Sequence, residues 1–328
     1  MKTVQEDLRQ YRDELKGLAM LWILFFHGQF GLTGLLYDIQ KIGYGGVDLF
    51  FFLSGFGLCR SLQRDDDLGS YLKRRFHRLA LPYGLFLVLW LAVMLPLGGY
   101  GVGQALRIAL GNGLMIGLFA GIEPLINWYP GGLLLTILLA PGLYACFQKS
   151  TRPWKTCVLL ILVELAAGYC LEGQEALTAV SRLPVFTLGM FMALPNDHKS
   201  TDEHPAARLV LSLVALVAGL GVLFLCYARK PDWLYSRGMY WYPMMAVAPA
   251  LCALLSALLR RTKGSSLLRW IGKASFGIFL FNAWMEYLGK KVLMWKNPWL
   301  WLAGTALSLL LGLGWHVGME RLQRRKKS

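Results

Sequence analysis

The chain has 328 residues, room for two ordinary soluble domains, yet 56% are hydrophobic and only 16% charged, where globular chains are about a quarter charged. With a mean hydropathy of +0.46, this excludes a disordered chain, a coiled coil and most water-soluble enzymes, and leaves a protein whose solvent is largely lipid. The 34 Lys and Arg against 19 Asp and Glu, a formal charge of +15, would suggest nucleic acid for a soluble protein; here they are expected from cytoplasmic loops facing membrane lipid, with no nucleic-acid partner.

Residues 1–15 are polar and form a cytoplasmic N-terminal segment without the pattern of a cleavable signal. A spanning helix needs about 20 apolar residues. Runs of that kind lie at 16–36, 45–62, 79–98, 127–147, 156–172, 178–194, 207–227, 241–259, 270–289 and 298–317. A further run, 104–121, contains four glycines and Asn112 and reads as a re-entrant or interfacial piece. Ten crossings with the N-terminus inside put 25 of the 34 basic residues on the cytoplasmic side. The expected fold is an all-α polytopic bundle in the cell membrane, with one membrane domain at 16–317, a basic tail at 318–328 and both termini cytoplasmic. The six cysteines show no CxxC pair and are expected to be buried thiols.

Ionisable residues in spans are costly and mark function. His27 follows Lys16 by eleven residues, about three helical turns, so the two share a face roughly 16 Å apart. Lys16 is expected at the cytoplasmic surface and His27 near mid-membrane, where an imidazole can move a proton. Asp48, near the outer end of the next, antiparallel span, is a candidate to orient His27. In the segment at 71–83, Arg75 and Arg78 present one face suited to phosphate, with Arg74 beside them. Glu123, Asn127 and Trp128 precede the fourth span, Glu164 lies within the fifth, and Asn282 is an amide in an apolar helix. No metal constellation, P-loop or dinucleotide fingerprint is present.

The blocks LKGLAMLWILFFHG, GGVDLFFFLSGF and YLKRRFHRLALPY, followed by NWYPGGLLLTILL, RLPVFTLGMF and GKASFGIFLFNAW, resemble the acyltransferase-3 family of polytopic membrane acyltransferases over most of the chain. The resemblance implies about ten helices, cytoplasmic acetyl-CoA or another acyl-CoA as donor substrate, no metal, and transfer of an acetyl or succinyl-like group to hydroxyls of cell-envelope carbohydrates or lipid-linked glycans. It implies that His27 is the essential histidine, as general base or as transient acyl acceptor, and that Arg75 and Arg78 meet the coenzyme A with Lys16 and Arg74. Three positions depart from the family pattern. Lys16 stands where an arginine is usual, which loses the planar fork. Leu133 replaces a glutamate frequent in members that modify peptidoglycan or O-antigen, and Asn282 replaces a histidine. The alternative from another class is a proton-coupled transporter with His27, Asp48 and Glu164 as its relay.

Overall fold

The apolar runs are helices in the computed structural model, which describes residues 4–64, 67–122, 128–171, 174–195, 205–229 and 241–325. In chain order these are α1 (Val4–Gln10), α2 (Arg12–His27), α3 (Gly34–Lys41), α4 (Gly45–Leu62), α5 (Leu68–Gly98), α6 (Val102–Gly113), α7 (Gly117–Ala120), α8 (Trp128–Gln148), α9 (Pro153–Cys170), α10 (Leu177–Val180), α11 (Leu183–Met192), α12 (Pro205–Arg229), α13 (Met244–Arg261), α14 (Ser266–Tyr287) and α15 (Pro298–Arg325). No strand occurs among the described residues. Glu123 and Asn127 lie outside them.

Among the described residues seven stretches are long and apolar enough to cross a membrane: Gly34–Leu62, Leu68–Gly98, Trp128–Gln148, Pro153–Cys170, Leu209–Cys226, Met244–Arg261 and Pro298–Arg324. Three of the ten expected crossings fall short of that standard, and each for a visible reason. The run at 16–36 does not continue as one helix: α2 stops at His27, and the chain turns through Gly31 and Gly34, both at positive φ, before α3. Its freed carbonyls are taken by Gln40, whose side-chain amide donates to the oxygens of Phe25 (2.7 Å) and Gly28. The run at 178–194 breaks into α10 and α11, with Pro184 in the first turn of the latter. The third, α14, carries Arg269, Lys273 and Glu286 along its length. The run at 104–121 forms α6 and α7, of 12 and four residues, and even the longer reaches about 18 Å against a hydrocarbon core of about 30 Å.

The bundle is organised around α4. In its most apolar window 89% of residues are buried, against 11% for α12, so α4 is the central post and α12 a rim helix turned to lipid. Tight packing needs small residues at the crossings. A Cβ on Gly55 would run into the carbonyl of Phe186, and one on Gly189 into that of Phe52, so α4 and α11 touch backbone to backbone. The same device joins α2 to α14: Gly17 sits against the Leu268 carbonyl and Gly272 against that of Asp13. An ion pair fixes the register where α2 and α14 begin, with Arg269 donating through Nε and Nη2 to Glu14 (3.0 and 2.7 Å), and Arg260 at the end of α13 donates to Asp7 of α1 (2.6 Å).

The cysteines correct the sequence reading in part. Cys59, Cys157 and Cys252 are buried, but Cys146 and Cys170 are exposed and Cys226 half-buried. An apolar run has a lipid-facing side as well as an inward one, and the sequence does not separate the two.

Replacing Gly55 by alanine is expected to force α4 and α11 apart, a cost of about 1–3 kcal/mol for overpacking. A lowered melting temperature of the purified protein in detergent, compared with an alanine placed at the open position Gly221, checks this.

Candidate active site

At the end of the bundle where α2 and α14 begin, α2, α4, α5, α8, α14 and α15 enclose a cavity of about 770 Å³. Lys16 and Arg12 reach it from α2, Arg75 and Arg78 from α5, and Lys273 from α14; Asp13 and Glu320 are its acidic members. The sequence dictates the arginine face locally. Asp67 caps α5 by accepting from the backbone N–H groups of Gly69 (3.2 Å) and Ser70 (2.7 Å), and these bonds hold its carboxyl below the usual carboxylate range. Two turns on, Arg75 lies over the buried Tyr71 ring, 5.9 Å from its centroid. Pro82, also a wall residue, has no N–H to give the Arg78 carbonyl, which loosens the helix at that turn.

Lys16, Arg75 and Arg78 are therefore brought together as expected, whereas Arg74 is not part of the wall. It is exposed on another side of α5, because adjacent residues on a helix point about 100° apart. Leu133, at the family's glutamate position, also lines this cavity.

His27 does not open into the cavity. It is the last residue of α2 rather than a mid-helix residue, and it borders a separate small pocket with Asn282, Met285, Glu286, Trp295, Trp301, Gly304 and Thr305. Along α14 the cavity wall is made by residues 272–277 and the small pocket by 282–286; the turn between carries Phe279 and Phe281. These belong to an aromatic layer: Phe279 packs on Tyr129 at 4.4 Å between centroids, Phe86 meets Phe281 at 5.2 Å and Trp284 at 5.8 Å, and Trp315 meets Phe281 at 5.9 Å.

The imidazole has a carboxylate partner, but it is Glu286 and not Asp48. Nδ1 of His27 lies 2.5 Å from Glu286 Oε2, and the other Glu286 oxygen holds Lys290. A carboxylate on Nδ1 fixes the tautomer and leaves Nε2 as the reactive nitrogen. The clue in the sequence is the spacing of Glu286 from Asn282: four residues apart on a helix, they share a face.

Asp48 serves elsewhere. Its Oδ1 faces Arg182 Nε at 3.5 Å with both side chains buried, and the guanidinium also donates to Ser181 Oγ (2.8 Å) and covers the Trp241 ring at 4.1 Å. Glu164 accepts from Thr187 Oγ1 at 2.6 Å and so ties α9 to α11. His27, Asp48 and Glu164 thus have three different partners, and no hydrogen-bonded relay joins them among the described residues.

A family model described as an acyltransferase domain matches residues 10–314, nearly the whole chain. The chain belongs to the acyltransferase-3 family. A search of curated proteins and a search of solved structures found no match. The transporter alternative finds no support in this membership. In this multi-pass membrane acyltransferase the three blocks noted in the sequence fall on α2, α4 and α5, the helices that carry Lys16 and His27, Asp48, and Arg75 and Arg78.

Asp48→Ala leaves Arg182 as an uncompensated buried charge, a loss of about 3–5 kcal/mol. Thermal melting of the purified protein should show a large drop for Asp48→Ala. His27→Ala, which removes a partly exposed ring, should melt close to the parent.

Proposed function

We propose that this acyltransferase is an integral-membrane O-acyltransferase that takes an acetyl or succinyl-like group from cytoplasmic acyl-CoA to a hydroxyl of a cell-envelope carbohydrate or lipid-linked glycan. The observation that carries the reading is a pairing of two features on one helix. Near one end of α2, Lys16 joins Arg75 and Arg78 in a cationic cavity; at the other end, His27 is held through Nδ1 by Glu286. The positive-inside distribution supports the cavity as the cytoplasmic face.

In this mechanism the phosphates of the donor bind Arg75 and Arg78 through paired N–H groups, with Lys16 adding charge. The acyl end extends toward His27, a distance of about 16 Å along α2 at 1.5 Å per residue. The aromatic layer of Tyr129, Phe279 and Phe281 lies on that route and has to part for it. Nε2 of His27 takes the proton of the acceptor hydroxyl as the oxygen attacks the thioester carbonyl. The tetrahedral intermediate collapses with loss of the thiolate, which regains the proton from the imidazolium. Glu286 stabilises that imidazolium and keeps the ring in place, and Lys290 holds the other Glu286 oxygen.

The acyl-CoA requirement and the histidine are tested together in membranes supplied with radiolabelled acetyl-CoA. His27→Ala is expected to abolish label transfer to the glycan fraction. Glu286→Gln is expected to lower kcat by at least about a hundredfold with little change in KM for the donor. Full transfer by the His27→Ala protein would overturn the mechanism. Mass spectrometry of surface glycans from cells with and without the gene identifies the acceptor and the acyl group.

A further inference from the structure

The pocket beside His27 is too small for a sugar ring. It measures about 10 Å³, space for the oxygen of one water or one hydroxyl, whereas sites for small ligands take up about 300–1,000 Å³. An imidazole backed by a carboxylate activates whatever O–H group reaches it, and water is the most abundant. A transferase that brings a thioester to such a histidine therefore needs water kept away until the acceptor arrives.

The side chain that fills the space is Trp295. It belongs to the strap at 288–297 that joins α14 to α15, and it shares the walls of the pocket with His27 and Glu286. Its indole rests on two glycines, Gly289 at the root of the strap and Gly304 on α15. A Cβ would lie 2.7 Å from the ring at the first position and 2.5 Å from it at the second, so an alanine at either displaces the indole. The buried Trp301 meets the indole edge-on, with 5.4 Å between ring centroids.

The strap is lightly held. Past Tyr287 the helix widens into the turn Leu288–Val292, a kind of break frequent at functional sites. Met294 takes a φ of 45°, which a side chain rarely adopts, and both it and Leu293 are exposed. Among the described residues two hydrogen bonds seat Trp295. Its backbone N–H donates to the Gly289 oxygen (2.8 Å), and Trp301 Nε1 donates to its own oxygen (3.1 Å).

We infer that Trp295 is a displaceable plug that keeps water from His27, and that the acceptor enters by lifting it from the slot between Gly289 and Gly304. This rests on the acyl-CoA reading given above. With the plug gone, water takes the acceptor's part. His27 Nε2 accepts a proton from water as its oxygen attacks the thioester carbonyl, the C–S bond breaks, and the thiolate takes the proton back. The products are acetic acid, which ionises to acetate, and free coenzyme A.

The test uses the purified full-length protein in detergent with radiolabelled acetyl-CoA and no acceptor, and measures labelled acetate and free coenzyme A. Trp295→Ala is expected to raise hydrolysis by about tenfold or more over the parent. Trp295→Phe, which keeps a ring in the slot, should stay near the parent. Adding His27→Ala to Trp295→Ala should abolish the rise, which loosened packing alone does not predict. Gly304→Ala retains Trp295 but pushes it outward, and it should raise hydrolysis too, so the test stands even where Trp295→Ala fails to fold. Hydrolysis at the parental rate in folded Trp295→Ala or Gly304→Ala, or a rise that persists without His27, overturns the plug while leaving acyl-CoA as donor. If membranes containing the parent transfer no label from acetyl-CoA, the acyl-CoA reading fails and the plug fails with it.

Discussion

The contact on which the site depends is the close crossing of α2 and α14. Gly17 and Gly272 let two backbones meet where any larger residue would hold them apart. Their consequences appear at both ends of the pair. Near the crossing, Lys16 and Lys273 enter the same cavity; far from it, His27 and Glu286 come within hydrogen-bonding distance. Helices set further apart would separate the imidazole from its carboxylate and widen the cavity, so two hydrogen-sized side chains near one end govern a contact at the other.

Charge placement follows a second constraint. In a lipid-solvated bundle every ionised group needs a partner or an aqueous surface. Asp48 has Arg182, Glu14 has Arg269, Asp7 has Arg260 and Glu286 has both His27 and Lys290. Among the described residues Arg12, Lys16, Arg78 and Lys273 of the cavity form no ion pair.

Much of this was legible in the residues. Runs of the right length gave the helices, and α4, α8 and α9 begin and end within a few residues of the expected spans, because hydropathy and breakers such as Gly and Pro act locally. The face of α5 was legible too, since Arg75 and Arg78 stand three residues apart, and the family resemblance added Lys16 to them. What periodicity does not convey is which helix lies next to which. Asp48 was assigned to His27 because consecutive antiparallel helices are the natural neighbours, yet α14, some 240 residues later, occupies that position and supplies Glu286. The end of α2 was misplaced for a different reason. Apolar residues continue beyond His27 into α3, and the turn through Gly31 and Gly34 interrupts the helix without interrupting the hydropathy.

Gln40 gives that turn a mechanical meaning. Its amide grips the oxygens of Phe25 and Gly28, on either side of His27, from a helix whose Leu35 and Leu36 are largely exposed. The imidazole is thereby leashed to a short outlying cylinder that rides on its surroundings. The position of the ring is therefore set from outside α2 as well as from within it, by a residue thirteen places further along the chain.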